Sequence, residues 1–109
     1  MADTVVVAQD VLDEIIRRIV KVCAPEKIIL FGSAARGAMG ANSDVDLLVV
    51  KRGEFHRGKV TEDIYMSLIG VGQAVDVVVV TTEDVERYRE NHALVIAPAL
   101  REGRVMYAA

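Results

Sequence analysis

The feature that most constrains the fold is the segment at positions 44–50, DVDLLVV, which after its aspartates is a nearly continuous apolar run. Such a run is typical of a strand that is covered on both faces, as in a sheet flanked by helices. Two aspartates open it, Asp44 and Asp46, and because strand side chains alternate between faces, both carboxylates project to the same side. Neighbouring carboxylates repel each other, and a divalent cation removes that cost. The segment therefore predicts a central strand with a candidate metal site at its start.

A second apolar run, Lys27–Phe31, lies upstream and ends in the pair Gly32-Ser33. The run has the length and composition of a buried strand, and a turn made of glycine and serine can present backbone N–H groups to a phosphate. Arg36 follows closely, either as a surface cation, as a structural partner of the strand ends or as a phosphate contact. Strand, turn and strand together predict a candidate site for a metal-bound nucleotide.

The rest of the chain alternates between helical and strand patterns. Helical spacing of apolar residues and local end signals predict helices at residues 5–23, 59–71, 82–89 and 92–102. An apolar run predicts a third strand at residues 75–80, and residues 105–107 are expected either to add an edge strand or to lie along the sheet. This order predicts an α/β (α+β) fold, a small mixed β-sheet of three to four strands with flanking helices. The short link between the first two strands leaves their pairing direction open.

Composition limits the classes of protein that this chain can belong to. With 109 residues, 52% of them hydrophobic, residues 1–109 are expected to form a single domain. The net charge of −3 argues against strong binding of nucleic acid by the chain alone, although not against binding of a nucleotide. Cys23 is the only cysteine, so neither a disulfide framework nor a thiolate metal site is expected. Without a signal-peptide pattern or a membrane-length apolar run, the sequence predicts a cytoplasmic protein.

A third carboxylate completes the candidate site. Asp76 is the only charge in the run VDVVVV, where a charged residue is expected to be buried and to need a partner. Asp44 and Asp46 offer that partnership through a shared metal ion, and Asp76 could act as a general base on an attacking hydroxyl. Each aspartate alone has a structural explanation, as a turn or a strand-start residue. The three together, with the Gly-Ser turn, fit metal-assisted phosphoryl chemistry. Three tyrosines are interpreted as packing residues: Tyr65, Tyr88 and Tyr107.

The segment FGSAARGAMGANSDVDLLVV resembles the signature of the DNA polymerase beta-like nucleotidyltransferase superfamily. The chain length and the ARG after Gly-Ser look like its minimal nucleotidyltransferase (MNT) branch, and Asp76 matches the third aspartate of the family. The resemblance implies a nucleotidyltransferase fold and the transfer of a nucleoside monophosphate, AMP from ATP, to a hydroxyl with two Mg²⁺ ions. It implies that Gly32 and Ser33 hold the triphosphate, with Arg36 as a further candidate. It also implies that the metals are held by the three catalytic acids, Asp44, Asp46 and Asp76.

The same resemblance implies a partner. Many minimal members are antitoxins encoded beside a HEPN-type RNase toxin, and some inactivate it by adding AMP to a toxin tyrosine. One alternative is an antitoxin that neutralises its partner by complex formation without catalysis, and a weaker one is a stand-alone enzyme acting on a small hydroxyl compound. Ala34 stands where relatives often have a larger residue, which leaves the nucleotide preference open. A homodimer through the first helix or the last strand also stays open.

Overall fold

The computed structural model describes residues 9–32, 45–88 and 103–109. Within these ranges the chain forms three helices and four strands: α1 Gln9–Cys23, β1 Lys27–Phe31, β2 Val45–Lys51, α2 Arg57–Ser67, β3 Val75–Thr81, α3 Thr82–Tyr88 and β4 Arg104–Ala108. The strands form one mixed sheet in the order β3-β2-β1-β4. The predicted fold class is therefore confirmed, including the fourth strand at the edge. The predicted helix at residues 92–102 and the start of the predicted first helix lie outside the described residues.

The pairing directions explain how distant segments meet at one end of the sheet. β1 runs antiparallel to both β2 and β4, whereas β2 and β3 are parallel and are connected through α2. This answers the question that the sequence left open for the first two strands. As a consequence, the carboxyl end of β1 lies beside the amino ends of β2 and β3, where the sequence places the Gly-Ser turn and the acids.

The core has two parts, one on each face of the sheet. Strand alternation sends one set of side chains under α1 and α2 and the other set toward α3. The first cluster includes Ile15, Ile19, Ile28, Leu30, Leu47, Val49, Ile64 and Val77. The second consists of Ile29, Leu48, Val50 and Val80, with Phe31, Val78 and Val85 packed against it. Residues 47–50 of β2 are at most 5% exposed. The prediction that this strand is covered on both faces is therefore confirmed.

Helix α1 is held at several points. Its buried stripe faces the sheet, and the ammonium group of Lys51 donates a hydrogen bond of 2.7 Å to the carbonyl of Cys23 in its last turn, where a cation is favoured. Arg18 of α1 donates to the carbonyls of Ser67 and Ile69, both at 3.1 Å, and thereby holds the end of α2. These contacts connect α1 to the sheet and to the end of α2.

Helix α2 begins and ends earlier than the predicted range of 59–71. His56 caps it, since its Nδ1 accepts a hydrogen bond of 3.0 Å from the backbone N–H of Lys59. Leu68 is the C-cap residue, and the chain then turns through Gly70, where φ is +87°. Leu68 and Val71 still pack on the larger cluster. The predicted range extended past the helix end because the turn that follows also buries apolar residues.

The passage from β3 to α3 is stabilised by a reciprocal capping arrangement. The N–H of Asp84 donates to Oγ1 of Thr81 at 2.9 Å, and the N–H of Thr81 donates to Oδ2 of Asp84 at 3.1 Å. Arg57 donates to the same carboxylate oxygen at 2.9 Å. The backbone hydrogen bond from Thr81, assisted by Arg57, holds the pKa of Asp84 below its usual range. None of the helices described has the length and apolar content needed to cross a membrane.

Candidate active site

Two of the predicted acids lie side by side in the sheet. Asp46 of β2 and Asp76 of β3 are register partners in the parallel pair, and Phe31 of β1 is the register partner of Asp46 on its other side. Register partners on neighbouring strands project to the same face and start about 5 Å apart. The structure therefore brings together two carboxylates that are thirty residues apart in the chain, in a row that ends on an aromatic side chain.

This row lies at the rim of the smaller apolar cluster. By alternation, Asp46 and Asp76 share a face with Leu48 and Val78, which belong to that cluster. Asp46 is half-buried and Asp76 is exposed. The expectation that Asp76 would be buried was wrong, because β3 is an edge strand of the described sheet and Asp76 is only its second residue. An exposed carboxylate beside a half-buried one can be reached by ligands from solvent.

Gly32 brings the turn into direct proximity with Asp46. It follows β1 with φ +76°, a backbone conformation that L-residues with a side chain rarely adopt. A Cβ built on it would lie 2.5 Å from Oδ2 and 3.3 Å from Cγ of Asp46. Real Cβ atoms essentially never come that close to another atom, so any side chain at this position would require the Asp46 carboxylate to move. The backbone angle of the turn thus favours glycine, and the present position of the Asp46 carboxylate depends on the absence of a Cβ at residue 32.

Three predicted site residues, Ser33, Arg36 and Asp44, lie outside the described residues, and their roles stay predictions. Over residues 9–32, 45–88 and 103–109 no group of three or more His, Cys, Asp or Glu side chains gathers as a metal site. The described part of the site supplies two carboxylates. Carboxylate oxygens are the hard donors that Mg²⁺ prefers, and Mg²⁺ commonly uses one or two of them together with substrate phosphates. The donor chemistry therefore fits a metal-bound nucleotide.

Tyr65 was missed by the sequence analysis, which interpreted the tyrosines as packing residues. Its side chain is 40% exposed, and its hydroxyl accepts a hydrogen bond of 2.8 Å from the backbone N–H of Val77, the residue after Asp76. No pattern in the sequence indicates this contact, because it depends on how α2 lies against the edge of β3.

Asp46 and Asp76 form an acidic row at the amino ends of two parallel strands, with a glycine turn against it, and this arrangement fits the chemistry of metal-assisted phosphoryl transfer. The nucleotidyltransferase domain family matches residues 10–103, and the chain belongs to that family. A solved structure described as a "putative nucleotidyltransferase" from Sulfolobus solfataricus has a TM-score of 0.63 and 20% sequence identity, covering 91% of this chain and 78% of that one. At this identity the likeness supports the fold alone. No curated protein matches the chain.

Proposed function

We propose that this chain is a Mg²⁺-dependent nucleotidyltransferase that transfers AMP from ATP to a hydroxyl of a partner protein, a tyrosine of a HEPN-type toxin, and thereby acts as an antitoxin. The observation that carries the chemistry is the pairing of Asp46 and Asp76 in register, with Gly32 packed against Asp46. Membership in the nucleotidyltransferase domain family supports the reaction type. The AMP group, the tyrosine and the antitoxin role come from the resemblance to minimal nucleotidyltransferases.

The proposed mechanism divides the work among the acids. Asp44 and Asp46 would hold Mg²⁺, and Asp76 would bind the same metal and accept the proton of the attacking hydroxyl. The bound metal would neutralise charge on the phosphates. The hydroxyl oxygen forms a bond to the α-phosphorus, the bond to the pyrophosphate oxygen breaks, and pyrophosphate leaves. Gly32 and Ser33, through their backbone N–H groups, would hold the triphosphate, with Arg36 as a further contact.

The exposure of Asp76 supports an acceptor that comes from another molecule. Asp76 lies on an edge strand, and it projects to the same side as the half-buried Asp46. As far as the described residues extend, the proposed base is therefore open to a hydroxyl on the surface of a second protein. This is the feature of the described site that favours a protein acceptor.

The test is label transfer from α-³²P-ATP and Mg²⁺ to a co-encoded helical partner protein. We expect labelled partner with the wild-type chain, no label after chelation of the metal, and at least a 100-fold loss with Asp46→Asn or Asp76→Asn. Asp13→Asn is the matched control, since Asp13 is an exposed aspartate of α1, and it should leave transfer unchanged. Parallel reactions with GTP, CTP and UTP measure the nucleotide preference.

Two outcomes would count against the proposal in different ways. If the wild-type chain labels nothing with any nucleotide, nucleotidyl transfer is refuted. If the double variant Asp46→Asn, Asp76→Asn still neutralises the partner while binding it, complex formation is the means of neutralisation, and the catalytic antitoxin role is refuted.

A further inference from the structure

Strand β3, which carries Asp76, has a strand neighbour on only one side within the described sheet. In a parallel pair the N–H and C=O groups of alternate residues point toward the partner strand. The N–H of Val45 donates to the carbonyl of Ala74 at 2.9 Å, so Ala74, Asp76 and Val78 direct their backbone groups to β2. The N–H of Val77 points the other way, toward the open edge.

Tyr65 takes the place of a further strand at this one position. Its hydroxyl accepts the hydrogen bond from Val77 N–H at 2.8 Å. An exposed strand edge is otherwise free to fray or to pair with another chain. The contact fixes the backbone directly after Asp76, at the amino end of a strand that no other described strand covers from outside.

The helix that carries Tyr65 is itself anchored. Ile64, the residue before it, is fully buried in the larger cluster. Arg18 holds the carbonyls of Ser67 and Ile69 at the end of the helix, while Glu14 accepts a hydrogen bond of 2.7 Å from Nε of Arg18. The tyrosine hydroxyl therefore projects from a fixed support rather than from a loop.

We propose that Tyr65 is a positioning residue for Asp76: its hydrogen bond to Val77 holds the proposed base at the correct distance from Asp46. The inference rests on the proposed nucleotidyl transfer. Metal and proton-transfer geometry tolerate little error, and a displacement of about 1 Å can cost roughly 100-fold in rate. Asp76 belongs to the part of the sheet where such displacement is easiest, since it is exposed and second from the strand end.

The test is Tyr65→Phe, which keeps the ring and removes only the hydroxyl. We expect kcat to fall about tenfold or more with the KM for the nucleotide within about twofold, because Asp76 acts in the transfer step. Hydrogen exchange provides a readout that needs no activity: the Val77 amide should exchange at least tenfold faster, whereas the Val78 amide, which faces β2, should keep its rate. Tyr107→Phe is the control, since it removes a hydroxyl from β4 at the opposite edge.

The outcomes separate this inference from the proposed function. Unchanged exchange at Val77 in Tyr65→Phe overturns the inference whatever the activity. Faster exchange with kcat within twofold of the wild type also overturns it, because the contact is then only structural. A wild-type chain without transfer activity refutes the proposed function and the positioning role together. This outcome is recognised because the parent chain and Tyr65→Phe then both fail to transfer label.

Discussion

Replacing Gly32 with alanine tests the contact between the turn and the acidic row. Two costs can be worked from the structure. The left-handed conformation at φ +76° costs an L-residue about 1–2 kcal/mol, of which about 0.4–1 kcal/mol is returned because alanine restricts the unfolded chain. The added Cβ would lie 2.5 Å from Oδ2 of Asp46, so the carboxylate must move by about 1 Å. Leaving its rotamer costs about 0.5–1.5 kcal/mol more.

A matched glycine separates these two costs. Gly72 has a similar φ of +83°, and a Cβ added there meets nothing within 4 Å. Gly72→Ala should therefore lose about 0.5–1 kcal/mol of unfolding free energy and keep its activity. Gly32→Ala should lose about 1–2.5 kcal/mol and, because Asp46 is displaced, most of its transferase activity. Urea denaturation and the label-transfer assay measure the two effects.

The double variant Gly32→Ala, Asp46→Ala tests whether the Asp46 carboxylate oxygen causes the extra cost of Gly32→Ala. In an Asp46→Ala background the crowded oxygen is gone, and the nearest remaining atom, Cβ of residue 46, would lie at an ordinary contact distance of 3.5 Å. Gly32→Ala should then cost no more than Gly72→Ala. The reasoning is refuted if the cost of Gly32→Ala is the same in both backgrounds, or if it equals that of Gly72→Ala in the parent chain.

The ends of the three helices give the remaining predictions. Ala24 has φ +47° directly after α1, where glycine is preferred, so Ala24→Gly should raise the unfolding free energy by about 0.5 kcal/mol; a loss in urea denaturation would contradict this. His56 caps α2, whose first turn contains no acidic residue, so His56→Asp should stabilise by roughly 0.5 kcal/mol, and the gain should shrink in high salt; a salt-independent gain would contradict the charge argument. The pKa of Asp84 is lowered by the Thr81 N–H and by Arg57. The contribution of the Asp84 carboxylate to the free energy of unfolding is therefore fully present above the ordinary aspartate pKa, and it is lost as the pH falls through the lowered pKa of the folded state. Asp84→Asn should therefore cost about 0.5–1 kcal/mol at neutral pH and almost nothing in strong acid, as thermal unfolding across pH will show; an equal cost at both pH values would refute the assignment.

The strands were predictable because a short apolar run bounded by turn residues is typical of a strand. The predicted strand at residues 75–80 forms as Val75–Thr81, and the predicted run at 105–107 forms as Arg104–Ala108. Their order in the sheet was not predictable. Whether β4 adds to β1 or to β3 depends on which sheet edge remains open after folding, and local sequence does not determine this.

The sequence offers a set of residues for the candidate site, but not the geometry of those that the structure describes. Spacing placed Asp46 and Asp76 near the starts of two strands, and the parallel register then made them neighbours. The exposure of Asp76 was mispredicted because an apolar run does not indicate whether its strand lies in the centre or at the edge of a sheet. Tyr65 was missed because its only signal is a hydrogen bond across two elements.

The burial of Cys23 gives the chain an internal reporter of local opening. It is the only cysteine, is 8% exposed, and lies in the last turn of α1, where burial raises the pKa of its thiol. A thiol reagent can modify it only when that turn leaves the sheet, so the labelling rate divided by the rate for a free thiol gives the equilibrium constant of opening. Followed along a urea titration, this ratio shows whether α1 detaches before the sheet unfolds, in a protein that carries no engineered probe.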